Sequence, residues 1–396
     1  MAKVQILAAS APRPQETFAL WQLGFRPFYL LASVFAAASI ALWTLQYTGW
    51  LQHAYLAGPM AHAHEMLFGF TLAVVTGFLF TAVRNWTGRP TPTGAALAAI
   101  ATLWLAGRVL VLTPYGWAAA AVNVAFPIAV AVGIGIPLFR SGNRRNYFFV
   151  ALLALMAIAV AGVHLAQLGV IALPGWVGIR IALDAVLFLM AVMAGRVVPM
   201  FTNNGVPGAG AQRHPAVERA ALGSVLALLA ADAAGIASLA LVALLGFAAL
   251  AHAVRLALWR PWNTLRAPLV WVLHIAYAWI VIHLALRALA ELDALPVPLA
   301  THALTIGAIG LLTIGMMTRT ARGHTGRPLV ADRYEVVCYV LILAAAVVRV
   351  FGPVLVPAAY METIALAAIL WSGGYALYAV RYWPVLTRAR LDGQPG

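Results

Sequence analysis

The sequence predicts an all-α polytopic membrane protein of about twelve transmembrane helices, on three observations. Its 396 residues are 64% hydrophobic and only 9% charged. Apolar runs of about twenty residues, the length that crosses a hydrocarbon core, recur along the whole chain. When those runs are threaded back and forth, 21 of the 25 basic residues fall on the side that holds both termini. That sidedness accounts for the +14 charge without nucleic acid, since the basic residues are spread over every loop of one side and form no aromatic-interleaved patch.

Apolar length and Pro, Gly and Arg punctuation set the elements. Span 1 covers 25-46, and span 2 (62-83) opens on His62 and His64 and closes before Arg84. Span 3 (93-113) carries Arg108; span 4 (118-139) holds Pro127 and Pro137 and stops at Arg140. Span 5 (147-169) has His164 near its end, and span 6 (178-200) closes on Gly195-Arg196-Val197-Val198-Pro199. From Glu218 to Arg260 the chain is almost continuously apolar, which as one helix would measure about 60 Å. That is twice the hydrocarbon thickness, so a hairpin near Gly235 must separate spans 7 (217-236) and 8 (239-259). Span 9 (268-290) carries His274, His283 and Arg287, span 10 (299-320) His302 and Arg319, span 11 (333-352) Cys338 and Arg349, and span 12 (362-384) ends the bundle. The implied organisation is an N-terminal segment (1-24), one membrane domain (25-386) and a tail (387-396). The first twenty residues lack the apolar stretch of a cleavable signal, and the lone Cys338 reads as a small buried hydrophobe. The connections at 47-61, which includes His53, and at 114-117, 170-177 and 237-238 contain no Lys or Arg, which places both termini in the cytoplasm.

The chain also repeats itself. Residues 64-90 recur without a gap at 302-328, with eight of 27 positions identical: His64, Gly69, Gly77, Arg84 and Thr87-Gly88-Arg89-Pro90 match His302, Gly307, Gly315, Arg322 and Thr325-Gly326-Arg327-Pro328. Spans 2 and 10 run the same way, so the two imidazoles lie at matching depth near the outer surface. Eight spans separate the copies, which fits three four-helix units with span 6 as a faint third equivalent.

Polar side chains inside spans are costly and mark sites or interhelical bonds. Here imidazoles outnumber acids: His62, His64, His164, His252, His274, His283 and His302 stand against Glu65, Asp184, Asp232 and Glu362. Hard cations want oxygen ligands, whereas imidazole suits haem iron, copper or zinc. A haem between helices accounts best for the symmetric pair, with His64 and His302 as axial ligands. Arg108 and Arg349, near the outer ends of spans 3 and 11, would hold its propionates. His62 and His64 point about 200° apart on a helix, so at most one binds a given metal. His62, His164 and His283 are the pool for a second metal, and Glu65 would orient an imidazole or deliver a proton. His274 and His324 lie toward the cytoplasm and would serve a separate metal or the inner loops. Met190, Met193, Met200, Met316 and Met317 read as packing residues, and Gly307, Gly310 and Gly315 as close helix contacts.

These motifs resemble the NnrS family. The resemblance rests on Gly24-Phe25-Arg26-Pro27-Phe28, His62-Ala63-His64-Glu65-Met66-Leu67-Phe68-Gly69-Phe70, Asn85-Trp86-Thr87-Gly88, Gly195 through Thr202, Leu273-His274 through Trp279, and His302 through Pro328. It implies a bacterial inner-membrane protein containing haem b and copper, associated with denitrification and tolerance of nitric oxide. On that reading the chain binds nitric oxide, with its reduction and the electron donor left open. The span count and the His near the outer ends of spans 2 and 10 are also similar to the catalytic subunit of haem-copper oxidases. The similarity stops there, because spans 6 and 7 lack His and no adjacent His pair occurs. Two rival readings remain, a secondary transporter and a haem- or copper-holding sensor without turnover.

Overall fold

The computed structural model describes residues 18–51 and 54–393. Lys3, Arg13 and His53 therefore lie outside the described residues. Twelve helices run through the described residues, ten of them long and apolar enough to cross a membrane. They are α1 (Phe25–Tyr47), α2 (Gly58–Thr87), α3 (Gly94–Leu110), α4 (Gly116–Arg140), α5 (Phe148–Gln167) and α6 (Gly175–Gly205). Then follow α7 (Pro215–Ala233), α8 (Leu239–Leu258), α9 (Pro268–Ala290), α10 (Val297–His324), α11 (Arg333–Leu355) and α12 (Tyr360–Thr387). Each matches one expected span. The hairpin demanded by helix length falls between Ala233 and Leu239, where the alternative was a rod too long for the bilayer.

The two ends of the chain meet. Ala19 N–H donates to the Thr387 carbonyl at 2.7 Å, and the buried Arg26 guanidinium donates to the carbonyls of Leu386 (3.1 Å) and Arg388 (2.7 Å). This end of the bundle is called the terminal face, and the opposite end the far face. α2 is the central helix: its most apolar window is 83% buried, against 33% for α8, α11 and α12. It packs on α1, α4, α6 and α10, while α10 packs on α1, α9, α11 and α12.

The sequence repeat is also a structural one. In both copies the helix widens into a π-helical stretch at the residue after the histidine, Glu65–Thr71 after His64 and Ala303–Gly310 after His302. Side-chain donors reach backbone carbonyls within both stretches, Trp104 Nε1 to Gly69 at 3.0 Å and the Tyr375 hydroxyl to Gly310 at 3.0 Å. The paired glycines permit close approach: a Cβ at Gly69 would lie 2.7 Å from Arg108 Nη1, and one at Gly307 2.4 Å from the Trp279 ring. Each Thr-Gly-Arg-Pro motif stops its helix. Thr87 and Thr325 donate back to the carbonyls of Val83 (2.7 Å) and Ala321 (2.6 Å), and the following glycines take left-handed φ values of 64° and 72°. The third equivalent is not matched at this level, since α6 is a regular α-helix from Gly175 to Gly205.

Candidate metal centre

The π-helical stretch of α2 begins beside a fully buried His64, whose Nε2 faces His164 Nε2 from α5 at 3.2 Å. Both imidazoles have zero exposure, and their rings meet edge to face at 77°. A chain of polar groups from five segments holds them. His64 Nδ1 lies 2.8 Å from Glu65 Oε1, which also takes Arg108 Nη1 of α3 at 2.5 Å. Arg108 Nη2 reaches Asn123 Oδ1 of α4, and the guanidinium packs over the rings of Phe35 and Trp104. On the other side, His164 Nδ1 lies 3.3 Å from the Tyr55 hydroxyl, which donates to the His164 carbonyl at 3.1 Å. Tyr55 is seated in the connection before α2 by its own N–H to the Thr113 carbonyl at 3.0 Å. Burial pushes its hydroxyl up to about 12, so it keeps its proton at neutral pH.

The partner of His64 fixes where its proton sits, and that of His164 admits two arrangements. Glu65, ion-paired with Arg108, is an acceptor, so His64 carries its proton on Nδ1 and presents a lone pair at Nε2. With its one proton given to the His164 carbonyl, the Tyr55 oxygen accepts from His164 Nδ1–H, and His164 Nε2 becomes a lone pair too. In that state two lone pairs face each other across 3.2 Å, an arrangement that a cation between them stabilises. A linear metal ion with bonds of about 2 Å to each nitrogen requires about 4 Å. The rings would therefore open by less than about 1 Å. Without a cation, Tyr55 can donate to His164 Nδ1 instead, and His164 Nε2–H then donates to His64. The tautomer of His164 is thus coupled to occupation of the pair.

The structure does not bring His64 and His302 together. They are equivalent in the repeat but have different contacts, His64 with His164 of α5 and His302 with the backbone of its own helix. His302 Nδ1 donates to the Pro298 carbonyl at 2.6 Å, and His62 packs on Trp43. The opposed directions of His62 and His64 follow from their two-residue spacing on a helix. One haem spanning His64 and His302 does not fit this arrangement, because a porphyrin face would have to displace His164 from His64. Arg108, expected to hold a propionate, is committed to Glu65 and Asn123. His283 joins no other imidazole: its Nδ1 donates to the Ala300 carbonyl at 2.8 Å beside Asp232 and Arg287. His274 bonds the Thr202 hydroxyl at 2.8 Å, and His252 is bonded at both nitrogens, to Tyr277 and to the Ala221 carbonyl.

A second candidate site lies at the terminal face. A cavity of about 560 Å³ is lined by His324, Met193, Met200 and Met316, aromatic walls that include Phe78, Trp86 and Phe201, and the guanidinium groups of Arg145, Arg196 and Arg213. An imidazole and thioethers beside aromatic walls and three cations suit a porphyrin with two propionates, which would share or replace the bonds that Arg196 donates to Asn146 at 2.6 Å and Arg213 to Glu218 at 3.1 Å. Sequence reasoning gave those methionines only a packing role. It also missed Tyr55 and Asn123; the intramembrane Asn of span 4 was the one available signal.

Residues 19–390 match the family described as NnrS protein. The chain belongs to the NnrS family. It is thus a multi-pass membrane protein tied to the nitric oxide response. No curated protein matches it in sequence.

Proposed function

We propose that this NnrS protein is an inner-membrane protein that holds copper between His64 and His164 and haem b in the terminal-face cavity, and that it binds nitric oxide. The observation that carries the reading is the pair of facing imidazole nitrogens whose other nitrogens are held by Glu65, an acceptor, and by the Tyr55 hydroxyl, which can accept. The haem assignment is supported by the lining of the cavity, where His324 would hold the iron and Arg145, Arg196 and Arg213 would pair the propionates. Cuprous copper favours few, soft or imidazole ligands, and with haem it supplies centres that bind neutral diatomic molecules and exchange single electrons.

The chain's own residues prepare the pair. Glu65 fixes the His64 tautomer and leaves its Nε2 free to ligate; Arg108 pairs the buried carboxylate and so holds Glu65 as an acceptor. Tyr55 accepts the His164 proton at Nδ1, and the zero exposure of both rings keeps water from their nitrogens. Nitric oxide is neutral and enters from lipid, so burial does not exclude it. The positive-inside distribution supports cytoplasmic termini, which puts the copper pair in the outer half of the bilayer and the haem cavity in the inner half.

Metal analysis and optical spectra of the purified protein test the reading. Copper should be lost from H64A and from H164A with the haem absorbance kept, and the haem absorbance should be lost from H324A with copper kept. Copper retained in both first variants would refute the copper site, and absence of a haem band in the intact protein would refute the haem. Turnover of nitric oxide with a reductant separates a reductase from a protein that only binds it.

A further inference from the structure

Away from both sites, α6, α7 and α9 bury a carboxylate pair near the far face. Asp184 and Asp232 are 3% and 6% exposed and share one cation, Arg287 of α9. Arg287 bridges their outer oxygens, with Nη2 at 2.5 Å from Asp232 Oδ1 and Nη1 at 3.7 Å from Asp184 Oδ1. The second oxygens, Asp184 Oδ2 and Asp232 Oδ2, are both buried, and neither accepts a bond from any donor among the described residues. Two ionised carboxylates that share one cation repel and are acceptors only, whereas a proton on one of them turns its orphaned oxygen into a donor.

The surrounding charges agree with one proton. From α6 the exposed Arg180 stands 3.8 Å from Asp232 Oδ1, and just after α9 Glu291 stands 3.8 Å from Arg287 Nε. Arg287 and Arg180 together balance Glu291 and a single aspartate charge; a second aspartate charge would be buried without a cation. His283, one turn before Arg287 on α9, is also close. Its Nδ1 donates to Ala300, so Nε2 is a buried lone pair with no partner.

We propose that Asp184 and Asp232 share one proton and form a proton-holding site within the bundle, with the free nitrogen of His283 as the nearby acceptor that can receive it. The transferable species is a proton alone; no bond other than an O–H is broken and none other than an N–H is formed. Helix α6 connects this site to the terminal-face cavity, which it lines with Met193, Arg196 and Met200. The inference stands on the carboxylate geometry and does not depend on the copper or haem assignments.

Infrared spectroscopy of the intact protein in lipid, in H2O and in D2O, tests the proposal at neutral pH. A protonated carboxyl band that shifts on deuteration should be present in the wild type. It should vanish in D184N and in D232N, because either carboxylate left alone pairs with Arg287, and it should persist in E291Q. Both Asn variants should keep the wild-type melting temperature within a few degrees, since the amide N–H replaces the shared proton as donor. D184A, which leaves Asp232 Oδ2 without any donor, should melt lower. Absence of the band in the wild type, or its survival in either Asn variant, would overturn the shared proton.

Discussion

Replacing Tyr55 with Phe isolates the tautomer argument from the metal ligands themselves. The substitution keeps the ring, which lies parallel to the His164 imidazole at 6° with centroids 5.7 Å apart, and removes only the hydroxyl. Without that oxygen no acceptor holds the proton of His164 at Nδ1, so the ring is free to carry it on Nε2, where the metal must bind. Loss of a group that orients a ligating imidazole costs about 10- to 100-fold in metal affinity. At about 1.4 kcal/mol per decade that is about 1.4 to 2.8 kcal/mol. Cuprous affinity would be measured by competition with a chromophoric chelator, in detergent and under reducing conditions. The variant should release copper to chelator concentrations at which wild type retains it, while the haem absorbance is unchanged. Equal affinities for Y55F and wild type would refute the claim that Tyr55 sets the tautomer.

The repeat gives a paired test: G69A should push Arg108 off Glu65 and weaken copper retention, whereas G307A, whose Cβ meets the Trp279 ring at 2.4 Å, should cost about 1–3 kcal/mol in stability with copper kept. Thermal unfolding with metal analysis checks both, and copper loss in G307A alone would contradict the assignment. Changing Arg196 or Arg213 to Leu should weaken haem retention, read as faster haem loss to an apoprotein acceptor, while R108L should alter copper and leave haem in place. For topology, an impermeant thiol reagent on intact cells should label a Cys at Leu173 and spare one at Asn143, with Cys338 replaced; the reverse pattern would invert the membrane orientation.

The helices were legible because a bilayer leaves the backbone few choices. Apolar length alone determined most spans, and the break near Gly235 followed from a length no membrane accommodates. The repeat was legible as letters, and its physical content became visible only in three dimensions: π-helical widening after each histidine, glycines against Arg108 and Trp279, and left-handed glycines that end each helix. Depth could be computed from residue number, but azimuth relative to other helices could not. Equal depth makes His64 and His302 partners in the sequence, while contact pairs His64 with His164, 100 residues away on α5. Tyr55 escaped notice because it lies in a connection, where periodicity carries no information about what a side chain touches. The terminal-face cavity draws on α2, α6, α10 and the loop after α4, and no local pattern joins Arg145, Arg213 and His324.

X-ray absorption at the copper edge on copper-loaded, reduced protein tests the central claim most directly. The spectrum should show a two-coordinate cuprous ion with two imidazole nitrogens and no sulfur, altered in both H64A and H164A and unchanged in H302A. A sulfur ligand, or a spectrum that ignores His164 and responds to His302, would contradict that claim.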